Sequence, residues 1–183
     1  GSNNINLLKP NGQFGSRLMG GKDAASPRYV FTKLSELTSL IYHPDDATLY
    51  TPLEDDGMVI EPYHYTPIIP MVLVNGAVGI GTGWSTCIPQ HNPLDIIQNI
   101  EHMLDGIGVN PLVPWYRGFT GTVESVGDDF LMHGAFNWKS NTCLHITELP
   151  VGVWTSGYKE FLEKASAGEV KGFRKGMVTR IIS

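Results

Sequence analysis

Apolar and polar positions fall in blocks along this chain, and each block predicts an element. The first 25 residues show no periodic apolar face: Asn, Gly, Pro and Ser recur, and only Asn6-Leu7-Leu8 reads as a short strand. A helix start is expected at Ser26-Pro27, because serine caps well and proline suits the first helical position, where its missing N–H costs nothing. Val30, Leu34, Leu37 and Ile41 follow at spacings of four, three and four, one helical stripe widened by Phe31. Tyr29 lies off that stripe, on the side of Lys33 and Glu36, in the first turn. Residues 43–66 are polar and acidic, with Asp56-Gly57 as the tip of a hairpin. Residues 67–74 form a continuous apolar, β-branched run that reads as a buried strand or extended segment. It feeds a glycine-rich tight turn, Asn75 to Ser85, with Ile80 in its middle. Asn92-Pro93 opens a second helix with Ile97, Ile100 and Leu104 on its apolar face and Gly106 at its end. Residues 121–126, 129–133 and 142–148 alternate and suggest an antiparallel meander. Trp154-Thr155 leads into a third helix, with Tyr158, Phe161, Leu162 and Ala165 inward and Gly168 as its stop. A last strand is read over 177–182. The fold class is α+β: a short helical piece carrying a basic loop, then a mixed domain of strands and two helices.

Composition changes this picture little. A chain of 183 residues buries a real core as one domain or one and a half. With 42% hydrophobic and 17% charged residues it is an ordinary globular chain, which excludes disorder. No apolar run approaches the roughly 20 residues of a membrane span, and no basic-then-apolar leader is seen. The chain opens Gly-Ser without a methionine, so a segment of a longer protein is expected. Cys87 and Cys143 are far apart and lack a CxxC partner, which excludes a zinc ribbon and points to two reduced thiols of an intracellular protein.

Charge changes it more. The net charge of −5 hides a strong asymmetry: residues 1–29 carry +3, residues 30–65 carry −6, residues 66–110 carry −3 and residues 111–183 carry +1. Salt screens charges beyond about 8–10 Å, so a local basic patch can bind phosphate on an acidic chain. That patch is the loop from Gly12 to Tyr29, where glycines let backbone approach a polyanion and Arg17, Lys22 and Arg28 supply cations. Tyr29 sits directly behind Arg28, at an expected helix N-terminus that favours an anion. From the residues alone, Tyr29 reads either as a phosphate-site hydroxyl or as an aromatic packed at a helix edge. Ile80 reads either as a residue presented by a tight turn or as an apolar residue folded onto the core. Asp45, Asp46, Asp55 and Asp56 read as solvated turns rather than metal ligands, because adjacent carboxylates point apart. A dinucleotide-binding reading of Gly79-Ile80-Gly81 is rejected: Trp84 stands where a third glycine is needed, and Pro89 breaks any helix that would follow.

Gly12-Gln-Phe-Gly15, Gly20-Gly-Lys-Asp23 and Ser26-Pro-Arg-Tyr29 closely resemble the active-site tyrosine region of eukaryotic-type DNA topoisomerase II, a type IIA topoisomerase. The resemblance continues through Ile68-Ile-Pro-Met-Val72, Asn75-Gly-Ala77, Gly79-Ile-Gly-Thr-Gly-Trp-Ser85, Glu148-Leu-Pro-Val151, Trp154-Thr155 and Tyr158-Lys-Glu160. It covers nearly the whole chain and weakens between about 43 and 60 and between 106 and 145. Bacterial gyrases share the arginine–tyrosine pair but neither the preceding Ser-Pro nor the Gly-Thr-Gly-Trp-Ser run.

The resemblance implies that residues 1–42 are the later part of a winged-helix domain and that 43–183 are a mixed α/β tower domain, truncated before a coiled coil. It implies that Tyr29 attacks a DNA phosphodiester, keeping the 5′ phosphate, that Arg28 holds the scissile phosphate, and that Ile80 is an apolar wedge between base pairs. Gln13, Arg17 and Lys22 become expected DNA contacts. Double-stranded DNA is the expected partner, the whole protein an expected homodimer, and the nucleus (or an organelle such as the mitochondrion) its expected location. Mg²⁺ and ATP are expected to bind outside this chain, which therefore holds no metal ligands and is expected to be inactive alone. The chemistry agrees: a phenol titrates near about 10 and needs help as a nucleophile, and nearby cations both lower its pKa and bind phosphate charge. Two other readings are a noncatalytic DNA-bending module of the same fold and a nucleotide-binding protein using the glycine loops.

Overall fold

Strand pairing, not helical periodicity, governs the first predicted helix. In the computed structural model, which describes residues 2–127 and 129–173, residues 26–41 break into three pieces. Pro27–Tyr29 form a single 3-10 turn, Phe31–Leu34 form a strand (β2), and only Glu36–Ile41 form a helix (α1). Val30, Phe31 and Thr32 are β-branched or aromatic residues that favour a pleated strand. A ladder partner is available in β1, Leu8–Asn11, slightly later than the expected strand at 6–8. Ser35 then restarts the helix: Thr38 donates its amide to the Ser35 carbonyl at 3.1 Å and its hydroxyl to the Leu7 carbonyl at 2.6 Å.

The described residues form two compact units, 2–10 with 31–117 and 11–30 with 118–173. In the first, β3 (Pro52–Asp55) and β4 (Met58–Pro62) make the expected hairpin. Asp56 and Gly57 at its tip have φ of 48° and 78°, as a type I′ turn requires. The apolar run 67–74 is not a strand. It is an extended approach followed by a short helix, α2 (Met71–Asn75), whose turn is closed by the Leu73 and Val74 amides on the Pro70 carbonyl at 2.9 and 3.3 Å. Prolines at 67 and 70 remove two ladder donors, so a paired strand is unavailable there. The run is buried as its composition requires: Ile69 and Val74 pack with Ile96 to form the core of this unit, flanked by Ile5, Met71, Leu73, Ile100 and Leu112.

The glycine-rich stretch after α2 is a hairpin rather than a compact turn at Ile80. Strands β5 (Ala77–Gly81) and β6 (Trp84–Ile88) pair without a register shift, and Thr82-Gly83 make the turn. Helix α3 (Pro93–Leu104) starts where expected, with the Asn92 side chain accepting from the Leu94 amide at 3.0 Å. Its buried face is turned from the expected one: Ile96 and Asn99 are buried, whereas Ile97 is 38% and Leu104 82% exposed. A polar residue conceals the true stripe. Asn99 is satisfied in the interior by a reciprocal pair with the Asn110 backbone, both bonds at 2.8 Å. Asn4 plays a similar part, donating to the carbonyls of Val74, His91 and Trp115 at 3.0 Å and accepting from the Arg117 amide at 2.8 Å. Such buried amides are costly unless fully bonded.

In the second unit the expected meander is two separate hairpins. β7 (Thr122–Val126) pairs with β8 (Asp129–His133), and β9 (Ala135–Ser140), absent from the expected set, pairs with β10 (Cys143–Glu148). Gly134 separates the hairpins, where a Cβ would strike the Glu148 carbonyl. Helix α4 (Thr155–Ala167) matches the expectation, with Ala165 fully buried and Gly168 ending it at φ 82°. The strand expected over 177–182 lies outside the described residues. Among the described residues no helix is long and apolar enough to cross a membrane.

Candidate nucleic-acid interface

The basic loop is held in shape by its one acid. The Asp23 carboxylate accepts from the Ser16 amide at 2.8 Å, the Ser16 hydroxyl at 2.6 Å and the Gln13 side-chain amide at 2.8 Å. The hydrogen bonds from Ser16 hold its carboxyl below the ordinary carboxylate range. Backbone bonds from Ala25 to Gln13 and from Gly21 to Ser16, at 2.9 and 3.0 Å, close the loop on itself. Gly20 (φ 62°) lies against the Trp154 indole, where a Cβ would overlap the ring. The Ser156 amide donates to the Leu18 carbonyl at 3.0 Å, so the loop is seated on the first turn of α4.

The expected DNA contacts divide into engaged and free groups. Gln13 is engaged with Asp23. Arg17 is paired through Nη2 with Glu148 Oε1 at 2.6 Å, and Glu148 Oε2 also accepts from the Thr120 amide and hydroxyl at 3.2 and 3.1 Å. The Glu148 side chain is only 11% exposed, so this contact is a fixed anchor. The side chains of Lys22, Arg28 and Tyr29 are exposed, and among the described residues they make no hydrogen bond or ion pair.

Tyr29 is 71% exposed, so it is not packed at a helix edge. Its position differs from the expected one in one respect. The 3-10 turn Pro27–Tyr29 is three residues long, closed by the Tyr29 amide on the Ser26 carbonyl at 2.9 Å. A helix dipole needs several aligned peptides, so the predicted helix-terminus contribution to an anion site is absent. What remains is a guanidinium and a phenol side by side on a rigid turn.

Ile80 is 93% exposed, which removes the reading that it folds onto the core. Val78 and Trp84 on the same hairpin are also over 80% exposed. The carboxylates of Asp45, Asp55 and Asp56 are exposed, and among the described residues no group of three or more His, Cys, Asp or Glu converges to hold a metal. The residues present therefore do not make a Mg²⁺ site. Both cysteines are free and exposed. Sequence reasoning missed the supporting acids, Asp23 and Glu148. Glu148 lies within a recognised motif, yet its partner Arg17 is 131 positions away.

Comparison with known proteins agrees with this geometry. Residues 1–177 match the family model for the DNA gyrase/topoisomerase IV A-type chain, and this chain belongs to that family of type IIA topoisomerases. Within it the chain is similar to eukaryotic enzymes. It is 56% identical over 160 residues to DNA topoisomerase 2 of Bombyx mori, covering 87% of this chain and 10% of the relative. It is 50% identical over 172 residues to DNA topoisomerase 2 of Saccharomyces cerevisiae, covering 93% and 12%. The fold matches the crystal structure of the Plasmodium falciparum topoisomerase II DNA-binding, cleavage and re-ligation domain with a TM-score of 0.87 and 49% identity, over 92% of this chain and 23% of that one. The chain thus spans about a tenth of the length of the curated relatives it matches.

Proposed function

We propose that this chain is the tyrosine-bearing part of the DNA breakage-and-rejoining core of an ATP-dependent type IIA topoisomerase. The observation that carries the proposal is the exposed Arg28–Tyr29 pair on a rigid turn, beside a stapled basic loop, in a chain of this family. In the proposed step the Tyr29 Oη attacks a backbone phosphorus. The new O–P bond forms as the bond to the 3′ oxygen breaks, the phenolic proton leaves, and the 3′ hydroxyl takes one up. The 5′ phosphate stays on Tyr29 as an ester that stores the energy of the broken bond, so religation is the same step reversed. Arg28 would hold the scissile phosphate and stabilise the charge that develops on it. Lys22 and the remaining donors of Arg17 would meet flanking phosphates, with Gln13 contacting the backbone. Ile80 would enter a base step and kink the duplex.

Residues 1–42 are proposed to end a winged-helix domain, and 43–183 to form a tower domain beside the DNA. In the whole enzyme, a homodimer cutting both strands, Mg²⁺ and ATP would be bound by segments outside this chain, which alone would not cleave DNA. The double-stranded partner and a nuclear location (alternatively an organellar one) follow the same reading. The test uses a complete enzyme carrying this segment, incubated with negatively supercoiled plasmid and Mg²⁺ and trapped with detergent. Tyr29→Phe should give no covalent DNA–protein product. Product that persists in the variant refutes the assignment, and the noncatalytic DNA-bending reading gains if the unaltered enzyme forms none.

A further inference from the structure

The β5–β6 hairpin has two unlike faces. Val78 and Ile80 share one face with their cross-strand partners Cys87 and Ser85, whereas Gly79 and Gly81 share the other with Thr86 and Trp84. Glycine inside a strand costs stability, and it is kept where φ must be left-handed or where another group comes close. Inside this chain neither reason applies at Gly79 or Gly81. Neither has a positive φ, while Gly83 in the turn has φ 79°. A Cβ on Gly79 would meet no atom within 4 Å, and one on Gly81 would meet only the Trp84 carbonyl, at 3.9 Å. Gly76, just before the hairpin, shows what intramolecular need looks like: φ 66° and a Cβ position 2.5 Å from the Ile88 carbonyl. Gly79 and Gly81 are both exposed. The bare face therefore answers to something outside this chain's own fold.

A duplex supplies that reason. The minor groove of B-DNA is about 6 Å wide, whereas sheets that face each other through side chains sit about 10 Å apart. A ribbon with side chains on both faces is too thick to lie against a groove wall, and a ribbon with one bare face is not. We propose that Gly79 and Gly81 form a bare backbone floor against which the sugar–phosphate wall of the minor groove packs, while Ile80, on the opposite face, enters the base step. Gly79 is then a positioning residue for DNA bending. This rests on the reading, made above, that the hairpin engages duplex DNA.

The test compares Gly79→Ala, Gly79→Val and Ile80→Ala in a complete enzyme carrying this segment. Bending is read by energy transfer between dyes at the two ends of a short duplex, alongside duplex affinity and the melting temperature. Valine suits a strand better than glycine, so a purely structural role predicts an unchanged or more stable protein that bends normally. The floor predicts instead that Gly79→Val weakens formation of the bent complex about tenfold at an unchanged or raised melting temperature, with Gly79→Ala in between. Normal bending by Gly79→Val, with bending lost in Ile80→Ala, overturns the floor and leaves the DNA reading standing. Normal bending by all three overturns both. A fall in melting temperature that tracks the bending loss also overturns the floor, because the glycine would then serve the fold.

Discussion

The cations ahead of and beside Tyr29 have different occupations. Lys9 is paired with Glu36 at 3.0 Å and Arg17 with Glu148 at 2.6 Å, while Lys22 and Arg28 have no partner among the described residues. Exposed ion pairs contribute only about 0–1 kcal/mol, so the value of the Arg17 pair is where it places the guanidinium. Asp23 acts on the loop in the same way. Hydrogen bonds from Ser16 lower its folded pKa below the usual 3.8. A depressed carboxylate contributes its order above the unfolded value and loses it as pH falls through the folded one. Hydrogen exchange over 12–25 should therefore be flat near neutrality and rise only below about pH 4. Asp23→Ala should show the raised exchange at every pH. A loop equally protected in Asp23→Ala at pH 7 would contradict the staple.

At the scale of elements, the most legible pieces carried their own instructions. Asp56-Gly57 encodes a hairpin by itself, and α4 displays its stripe and its stop in consecutive residues. The illegible pieces depend on distant partners. The stripe from Val30 to Ile41 has helical spacing, yet β1, some twenty positions upstream, claims part of it as a strand. The face of α3 was misplaced because its true stripe includes Asn99, whose satisfaction comes from Asn110. The site divides likewise. The Arg28–Tyr29 pair and the hairpin around Ile80 were legible through their motifs, whereas the Asp23 and Glu148 supports exist only once the chain has folded. The seating of the loop on α4 makes its own prediction. Gly20→Ala forces a Cβ toward the Trp154 ring at a left-handed φ, and overpacking of this kind costs about 1–3 kcal/mol. Denaturant melts should show that loss, with DNA cleavage falling alongside it. An unchanged midpoint would mean that the loop does not rest on the indole.

For the whole molecule, the charge pattern and the family membership point the same way. The cationic stretch ends at Tyr29, and the following segment is strongly acidic, so a polyanion is drawn to one part of the chain and repelled by the next. Two compact units carry the two features that the proposal assigns to DNA, with the tyrosine in one and the wedge in the other. The central claim is chemical: one phenol among seven tyrosines becomes esterified to DNA. The most direct measurement is mass spectrometry of the trapped covalent complex after exhaustive nuclease and protease digestion. The account predicts a nucleotide adduct linked through its 5′ phosphate to the peptide containing Tyr29, on the tyrosine itself. An adduct on any other residue, or a 3′-linked nucleotide, would contradict it.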